Sequence, residues 1–274
     1  MTGYPSGVAE SPPKENRKVR PIFVLGCPRS GTTVLGHSLQ RHPRVCGGTE
    51  THFFIPALEA FDEVWRYSVE RLPSEFSWLE AEGITKDEFL VHYAKGMRNL
   101  IESRATHERW LDHTGGNVLV WDKLHKVFPD AQFVFIVRDG RNVVESVMHT
   151  FWGGAFSFRK AAEMWVEHAE AGIAALTSAS TDQGLLVTYE SVVSAPEERL
   201  REIVDFLGLP WADDVLVPYI GEPLVNSSFP DDTVADKLAP KWLDWEAWKH
   251  QDFDEIGGAM LRHFGYEPDG TWSQ

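Results

Sequence analysis

Three sets of residues have types and spacings suited to chemistry. Gly26 and Gly31 punctuate a turn that leaves an apolar run and enters an apolar helical stretch. That is the spacing of G-x-x-x-x-G-K-[ST], in which backbone N–H groups and a helix N-terminus surround a phosphate. Thr32 stands where that motif carries lysine, and Arg29 lies inside the turn instead. Lysine serves a terminal phosphate with its magnesium, so this turn points to a phosphate-bearing ligand other than ATP or GTP. A second set is Arg138, at the end of the apolar run 131–137, with Ser146 two helical turns further on. A guanidinium at a strand's C-terminal end can grip a phosphate through two parallel hydrogen bonds. The third set is Glu50 and His113, a carboxylate and an imidazole, either of which can accept a proton.

These groups need a scaffold. Residues 21–26 read as a buried strand, and a helix runs from the turn to about Arg41, where His42-Pro43 stops it. Residues 45–49 return as a short strand in a hairpin-like path that brings Glu50 back toward the turn. From 50 to 110 the sequence is helix-like and aromatic, broken by Pro56, Pro73 and Gly83, and reads as a helical cap whose aromatics are core or acceptor-lining. Further strands are expected at 110–111, 133–137 and 185–189, alternating with helices around 158–175 and 196–207, the latter capped by Gly208. This alternation predicts an α/β fold with a central parallel sheet flanked by helices. Residues 221–241 read as a long polar lid loop. Trp242, Trp245 and Trp248 fall at helical spacing, a stripe that reads as packing rather than a binding box, and a last helix is expected over 254–266.

The 274 residues suit one domain over 21–274, after a Pro- and Ser-rich disordered arm at 1–20. A formal net charge of −15 opposes nonspecific attraction to nucleic acid or to an anionic membrane surface, so neither is expected as a partner. There is no run of about 18 apolar residues and no apolar leader pattern, which predicts a cytoplasmic protein. Cys27 and Cys46 are expected to be free. No H-E-x-x-H or Cys/His pairing has ligand spacing, so no metal site is expected, and Ser30 lacks the G-x-S-x-G setting of a hydrolase nucleophile.

The string Pro28-Arg29-Ser30-Gly31-Thr32-Thr33 resembles the 5′-phosphosulfate loop of sulfotransferases that use 3′-phosphoadenosine 5′-phosphosulfate (PAPS) and release 3′-phosphoadenosine 5′-phosphate (PAP). Arg138 with Ser146 resembles that family's 3′-phosphate site. The resemblance runs from about residue 21 to 268 but is specific only at these two motifs. It implies the P-loop-like sulfotransferase fold and PAPS as donor, held by Arg29, Ser30, Gly31, Thr32, Thr33, Arg138 and Ser146. It also assigns Tyr189 a nucleotide contact, with strand-end packing as the alternative role. A C-terminal loop supplies a serine and a cation in the family; here these are Ser227 and Lys241, with Lys237 behind them. Thr49-Glu50-Thr51 resembles the element that carries the base in the tyrosine-sulfating branch, making Glu50 the expected base, with helix capping as its alternative. Many relatives carry Glu-Lys-Thr-Pro where this chain has Asp112-His113-Thr114-Gly115, so His113 takes the place of a lysine that assists transfer in the tyrosine-sulfating branch. His113 and Arg29 join Glu50 as catalytic candidates. The implied reaction is sulfuryl transfer to a hydroxyl of a small-molecule or carrier-tethered acceptor. A P-loop kinase or NTPase that lost its lysine, or a noncatalytic PAP-binding protein, are the alternatives.

Overall fold

The computed structural model describes residues 19–150, 153–220, 236 and 238–267. In chain order they form β1 (Arg20–Leu25), α1 (Thr32–Gln40), β2 (Val45–Gly47), α2 (Phe54–Trp65), α3 (Trp78–Ala81), α4 (Lys86–Arg104), β3 (Arg109–Asp112), α5 (Trp121–Val127), β4 (Gln132–Val137), α6 (Gly140–Met148), α7 (Phe158–Ser178), β5 (Gly184–Thr188), α8 (Tyr189–Ser194), α9 (Pro196–Phe206), α10 (Val217–Ile220) and α11 (Ala247–His263). The strands make one sheet in the order β2-β3-β1-β4-β5, and every neighbouring pair is parallel.

The sheet is covered on both faces, as parallel sheets require. Successive side chains of β1 alternate between the two layers. Ile22 and Val24 pack with Leu35 of α1, Val192 of α8 and Leu200 of α9. Phe23 and Leu25 pack with Phe54 of α2, Leu124 of α5 and Ala175 of α7. Phe23 stacks on Phe133 at 5.5 Å between centroids. A third cluster joins α6, α7 and α11 through Val143, Val147, Trp165 and Phe253.

Because β1 is central, with β3 and β4 on either side, its C-terminal end is a point where successive crossovers depart to opposite sides. Ligands of open α/β sheets bind there. The segments that leave β1, β3 and β4 at this end carry residues 26–31, His113 and Arg138.

Several local expectations change. The return through residues 45–49 is no hairpin: β2 lies parallel to β3, in register from Val45 with Arg109 to Gly47 with Leu111, and α1 is the crossover. Tyr189 begins α8 instead of ending a strand. Trp242 and Trp245 precede α11, so the tryptophans share no helical stripe; both are buried, and they pack on the α6–α7–α11 cluster as expected for packing residues. The last helix starts at Ala247, seven residues earlier than expected, and ends at His263, short of Tyr266. Cys27 and Cys46 are free.

Gly172 shows how closely α7 sits on the sheet. A Cβ there would lie 2.1 Å from Phe135 Cζ. Alanine in a helix gains about 1 kcal/mol over glycine, whereas overfilling a packed contact costs about 1–3 kcal/mol. Gly172→Ala is therefore expected to lower the urea midpoint, and an unchanged or raised midpoint would show that α7 stands off the sheet.

Candidate active site

The first phosphate motif leaves β1 through Gly26, whose φ of 155° and close approach to the Ile136 carbonyl leave no space for a side chain. The Gly26 N–H donates to Gly115 O at 3.0 Å, fixing the turn to the segment after β3. Arg29 has φ 76°, a left-handed conformation that costs a non-glycine residue on the order of 1–3 kcal/mol and clusters at functional sites. Gly31, at φ 99°, begins α1, and no side chain caps this helix. Its first amide groups face the turn without a side-chain acceptor, the arrangement that receives an anion.

The second motif meets the first there. Arg138 donates from Nη1 to Arg29 O at 3.2 Å, and Arg29 Nε donates to Ser146 Oγ at 3.2 Å. The Arg138 guanidinium lies 4.4 Å from the centre of the Tyr189 ring. That ring also covers Gly31, where a Cβ would fall 2.4 Å from Tyr189 Cδ2. Tyr189 thus packs and contacts the arginine at once. Burial pulls the Arg29 pKa down, the neighbouring Arg138 charge pulls it further, and Glu50 opposes both. Ser30 Oγ is sealed in the turn, 1% exposed, and has no hydrogen-bond partner among the described residues.

Glu50 and His113 come together beside this turn. Thr33 Oγ1, in the first turn of α1, donates to Glu50 Oε1 at 3.3 Å. His113 Nδ1 lies 3.8 Å from the same oxygen, and His113 Nε2 is 3.2 Å from Gly48 O. His113 fits because α1 presents Gly36 to it; a Cβ there would lie 2.5 Å from His113 Cβ. Glu50 does not cap α2, which starts without any side-chain cap. Burial pushes the Glu50 carboxyl up, but His113, His52 and Thr33 together outweigh it and hold the pKa below the ordinary value. For His113, burial favours the neutral ring, yet Glu50, Asp112 and the Gly48 carbonyl raise its pKa overall.

The structure therefore brings Arg29, Ser30, Gly31, Arg138, Ser146 and Tyr189 into one corner, and joins Glu50, His113 and Thr33 to it through the first turn of α1, which Thr32 opens. Lys241 lies against the same helix as Ser146 through its backbone, whose N–H donates to Asn142 Oδ1 at 3.1 Å. Ser227 and Lys237, with most of the 221–241 loop, lie outside the described residues.

Sequence reasoning missed the groups that brace the corner from behind. Glu190 is buried, accepts the Asp139 N–H at 3.0 Å and accepts Tyr266 Oη–H at 2.7 Å. Burial raises its pKa, while the Asp139 amide and Arg138 act against that rise. Asp139 caps α6 and pairs with Arg141 at 2.7 Å, and the Arg141 guanidinium stacks 3.7 Å from the Trp242 ring centre. His37 stands edge-on to His113 at 5.2 Å between ring centres. Charged residues so close to the Arg138 motif were the available signal; nothing local marked Tyr266 or His37.

A parallel α/β sheet with an uncapped helix behind a strand-to-helix turn, and arginines converging on it, is a P-loop-like architecture. Residues 21–213 match the model of the sulfotransferase family, and the chain belongs to that family. It is 32% identical over 206 residues, 73% of its length, to a protein-tyrosine sulfotransferase of Drosophila melanogaster, and spans only 40% of that protein. The sulfotransferase domain from the curacin biosynthetic pathway superposes with a TM-score of 0.59 at 18% identity, over 89% of this chain and 98% of that one. Mouse sulfotransferase SULT7A1, complexed with PAP, superposes with a TM-score of 0.53 at 15% identity, over 92% and 86% of the two chains. The shared architecture is the P-loop-like sulfotransferase fold.

The Glu50–His113 pair makes stability depend on pH. A carboxyl with a lowered pKa stabilises the fold above its ordinary value of 4.5, and this is lost as pH falls through the lowered value. A histidine with a raised pKa stabilises below its ordinary 6.5, and this is lost as pH rises through the raised value. Both contributions are complete between 4.5 and 6.5. The stability difference between the wild type and Glu50→Gln, from urea unfolding, is expected to be largest in that window and to shrink toward alkaline pH. A difference that grows above neutrality would show that the two groups are not paired.

Proposed function

We propose that this protein transfers the sulfuryl group of PAPS to an acceptor hydroxyl, with Glu50 as general base. The observation that carries this reading is the convergence of Arg29 and Arg138 on the uncapped start of α1, beside a Ser30 hydroxyl that has no hydrogen-bond partner among the described residues. An anion bearing two phosphate groups would engage both arginines and satisfy the hydroxyl. The PAP complex of mouse SULT7A1 supports the choice of nucleotide. Bound PAPS supplies the sulfuryl group and leaves as PAP.

Each residue then has a physical task. Arg29, the Ser30 hydroxyl and the amides of Gly31, Thr32 and Thr33 hold the 5′-phosphosulfate and offset charge developing on the departing phosphate. Arg138 and Ser146 hold the 3′-phosphate, with the Tyr189 ring fixing Arg138 by a cation–π contact. Glu50 accepts the acceptor's hydroxyl proton on its carboxylate, and its lowered pKa keeps it ionised for that task at neutral pH. His113, whose charged form Glu50 and Asp112 favour, supplies a cation beside the sulfuryl site in the lysine's place. Asp139 is a poor candidate for holding the magnesium of a kinase, because its carboxylate is committed to Arg141 and to the start of α6.

The reading extends to a single domain over 21–274, with residues 50–110 as a cap over the acceptor and 221–241 as a lid carrying Ser227 and Lys241. The acceptor is a small or carrier-tethered hydroxyl compound, and a tyrosyl peptide is the competing class, favoured by the likeness to the fly protein. A cytoplasmic setting is supported by the free thiols. No described helix is long and apolar enough to cross a membrane.

Two variants separate the roles. Glu50→Gln keeps shape and removes basicity, so PAP affinity should persist while turnover of PAPS falls by about 10²–10⁴-fold. His113→Lys should keep substantial activity and lose the fall in rate above neutral pH. A nearly dead His113→Lys together with a nearly normal Glu50→Gln would make His113 the base.

A further inference from the structure

At 3.8 Å the Glu50–His113 ion pair is longer than a hydrogen bond, so it does not by itself fix the orientation of the two side chains. The neighbouring pair holds it. Thr51 follows Glu50, Asp112 precedes His113, and these two inner residues are joined in a buried network. Asp112 Oδ1 accepts Thr114 Oγ1–H at 2.8 Å, Thr114 N–H at 3.3 Å and Thr51 N–H at 3.3 Å. Its Oδ2 accepts Asn117 Nδ2–H at 2.6 Å and Thr51 Oγ1–H at 3.3 Å. The Thr51 N–H is shared with Thr114 Oγ1 at 2.8 Å. Asp112 is only 2% exposed.

We propose that Asp112 is a positioning residue for sulfuryl transfer, clamping Thr51 so that the Glu50 carboxylate stays against Thr33 and His113 at the mouth of the phosphate turn. The proposal rests on the reading of Glu50 as base. Three features of the network support it. Every contact to the carboxylate is a donor, and all five donors are uncharged, so nothing about them calls for a carboxylate in place of a neutral side chain except the need for acceptors on both oxygens. Two of the five come from the residue next to the base. The others, from Thr114 and Asn117, fix the carboxylate to the segment that also receives the Gly26 N–H, so the base and the phosphate turn share one rigid support. Asp112 also lies beside His113 and favours its charged form, to which Glu50 contributes from the loop after β2, while His113 in turn pulls down the pKa of His37 on α1.

Asparagine at 112 keeps the shape but turns one oxygen into a donor facing other donors. The loop carrying Glu50 is then expected to shift, and a misplacement near 1 Å can cost about 10²-fold in rate. PAPS turnover to PAP is measured with a panel of phenols, primary alcohols and tyrosyl peptides, carrying forward the fastest acceptor, or water if none is faster. In the full chain, Asp112→Asn should lower kcat by about 10–100-fold with PAP affinity preserved, and in a Glu50→Gln background it should lower kcat by less than about twofold, because residues acting as a unit are non-additive. Thr114→Val, which removes one donor and the second acceptor for Thr51, gives the same pattern at smaller size and carries the test if Asp112→Asn does not fold. Equal losses in both backgrounds, or an unchanged kcat, overturn the positioning role while leaving Glu50 as base. A Glu50→Gln protein with the wild-type rate overturns the base assignment, and the positioning role with it.

Discussion

Two guanidinium groups share a buried corner at the C-terminal edge of the sheet, and the surrounding structure can be understood as what it takes to keep them there. Arg29 sits in a left-handed conformation beside Arg138, and burial and mutual repulsion both disfavour its charge. Groups from several elements hold the arginines in place. Arg138 is tied to the Arg29 carbonyl and covered by Tyr189, and its own carbonyl accepts the Trp165 indole N–H at 3.2 Å. Gly140 gives Trp165 the room to reach it. Glu190 and Tyr266 close the rear, so a residue near the C-terminus stabilises a motif more than a hundred residues earlier. A bound anion would meet there both guanidinium groups and the uncapped start of α1.

Sheet order then explains why the proton-transfer pair adjoins this corner. α1 carries the chain from β1 over β3 to β2, so the segment after β2 and the segment after β3 emerge side by side at the same end of the sheet. Glu50 and His113 lie in those two segments, and Thr33 lies in the first turn of the helix that bridges them. No long-range device is needed. The distance between base and phosphate turn follows from parallel register and the bare backbone of Gly36.

Much of this was legible in the sequence because it is local. The apolar runs of β1 and β4 read directly as buried parallel strands, and the glycine spacing marked the turn before α1. Arg138 and Ser146 were recognisable because strand end and helix spacing fix their relation within nine residues. What escaped was set by pairing between distant segments. The path from β2 looked like a hairpin, since a glycine pair after a short strand gives that signal whether or not its neighbour is antiparallel. The tryptophans near the C-terminus fit a helical stripe by spacing, yet Trp242 is held under Arg141 and Trp245 donates to Glu145, contacts with α6 that no local pattern encodes. Asp112 attracted attention only as part of a departure from the family pattern, because its function as a clamp depends on Thr51, which lies 61 positions away.

On the proposed function, the arginine corner holds a nucleotide carrying both 3′- and 5′-phosphate groups without a metal. Calorimetric titration of the wild-type protein with PAP in EDTA, beside ATP with magnesium, tests it most directly. PAP binding that EDTA leaves intact is expected, with much weaker binding of ATP with magnesium and loss of about 1.5–3 kcal/mol of PAP affinity in Arg138→Ala, the range for a hydrogen bond to a charged group. Equal affinity for ATP with magnesium and PAP, or PAP binding that disappears in EDTA, would contradict it.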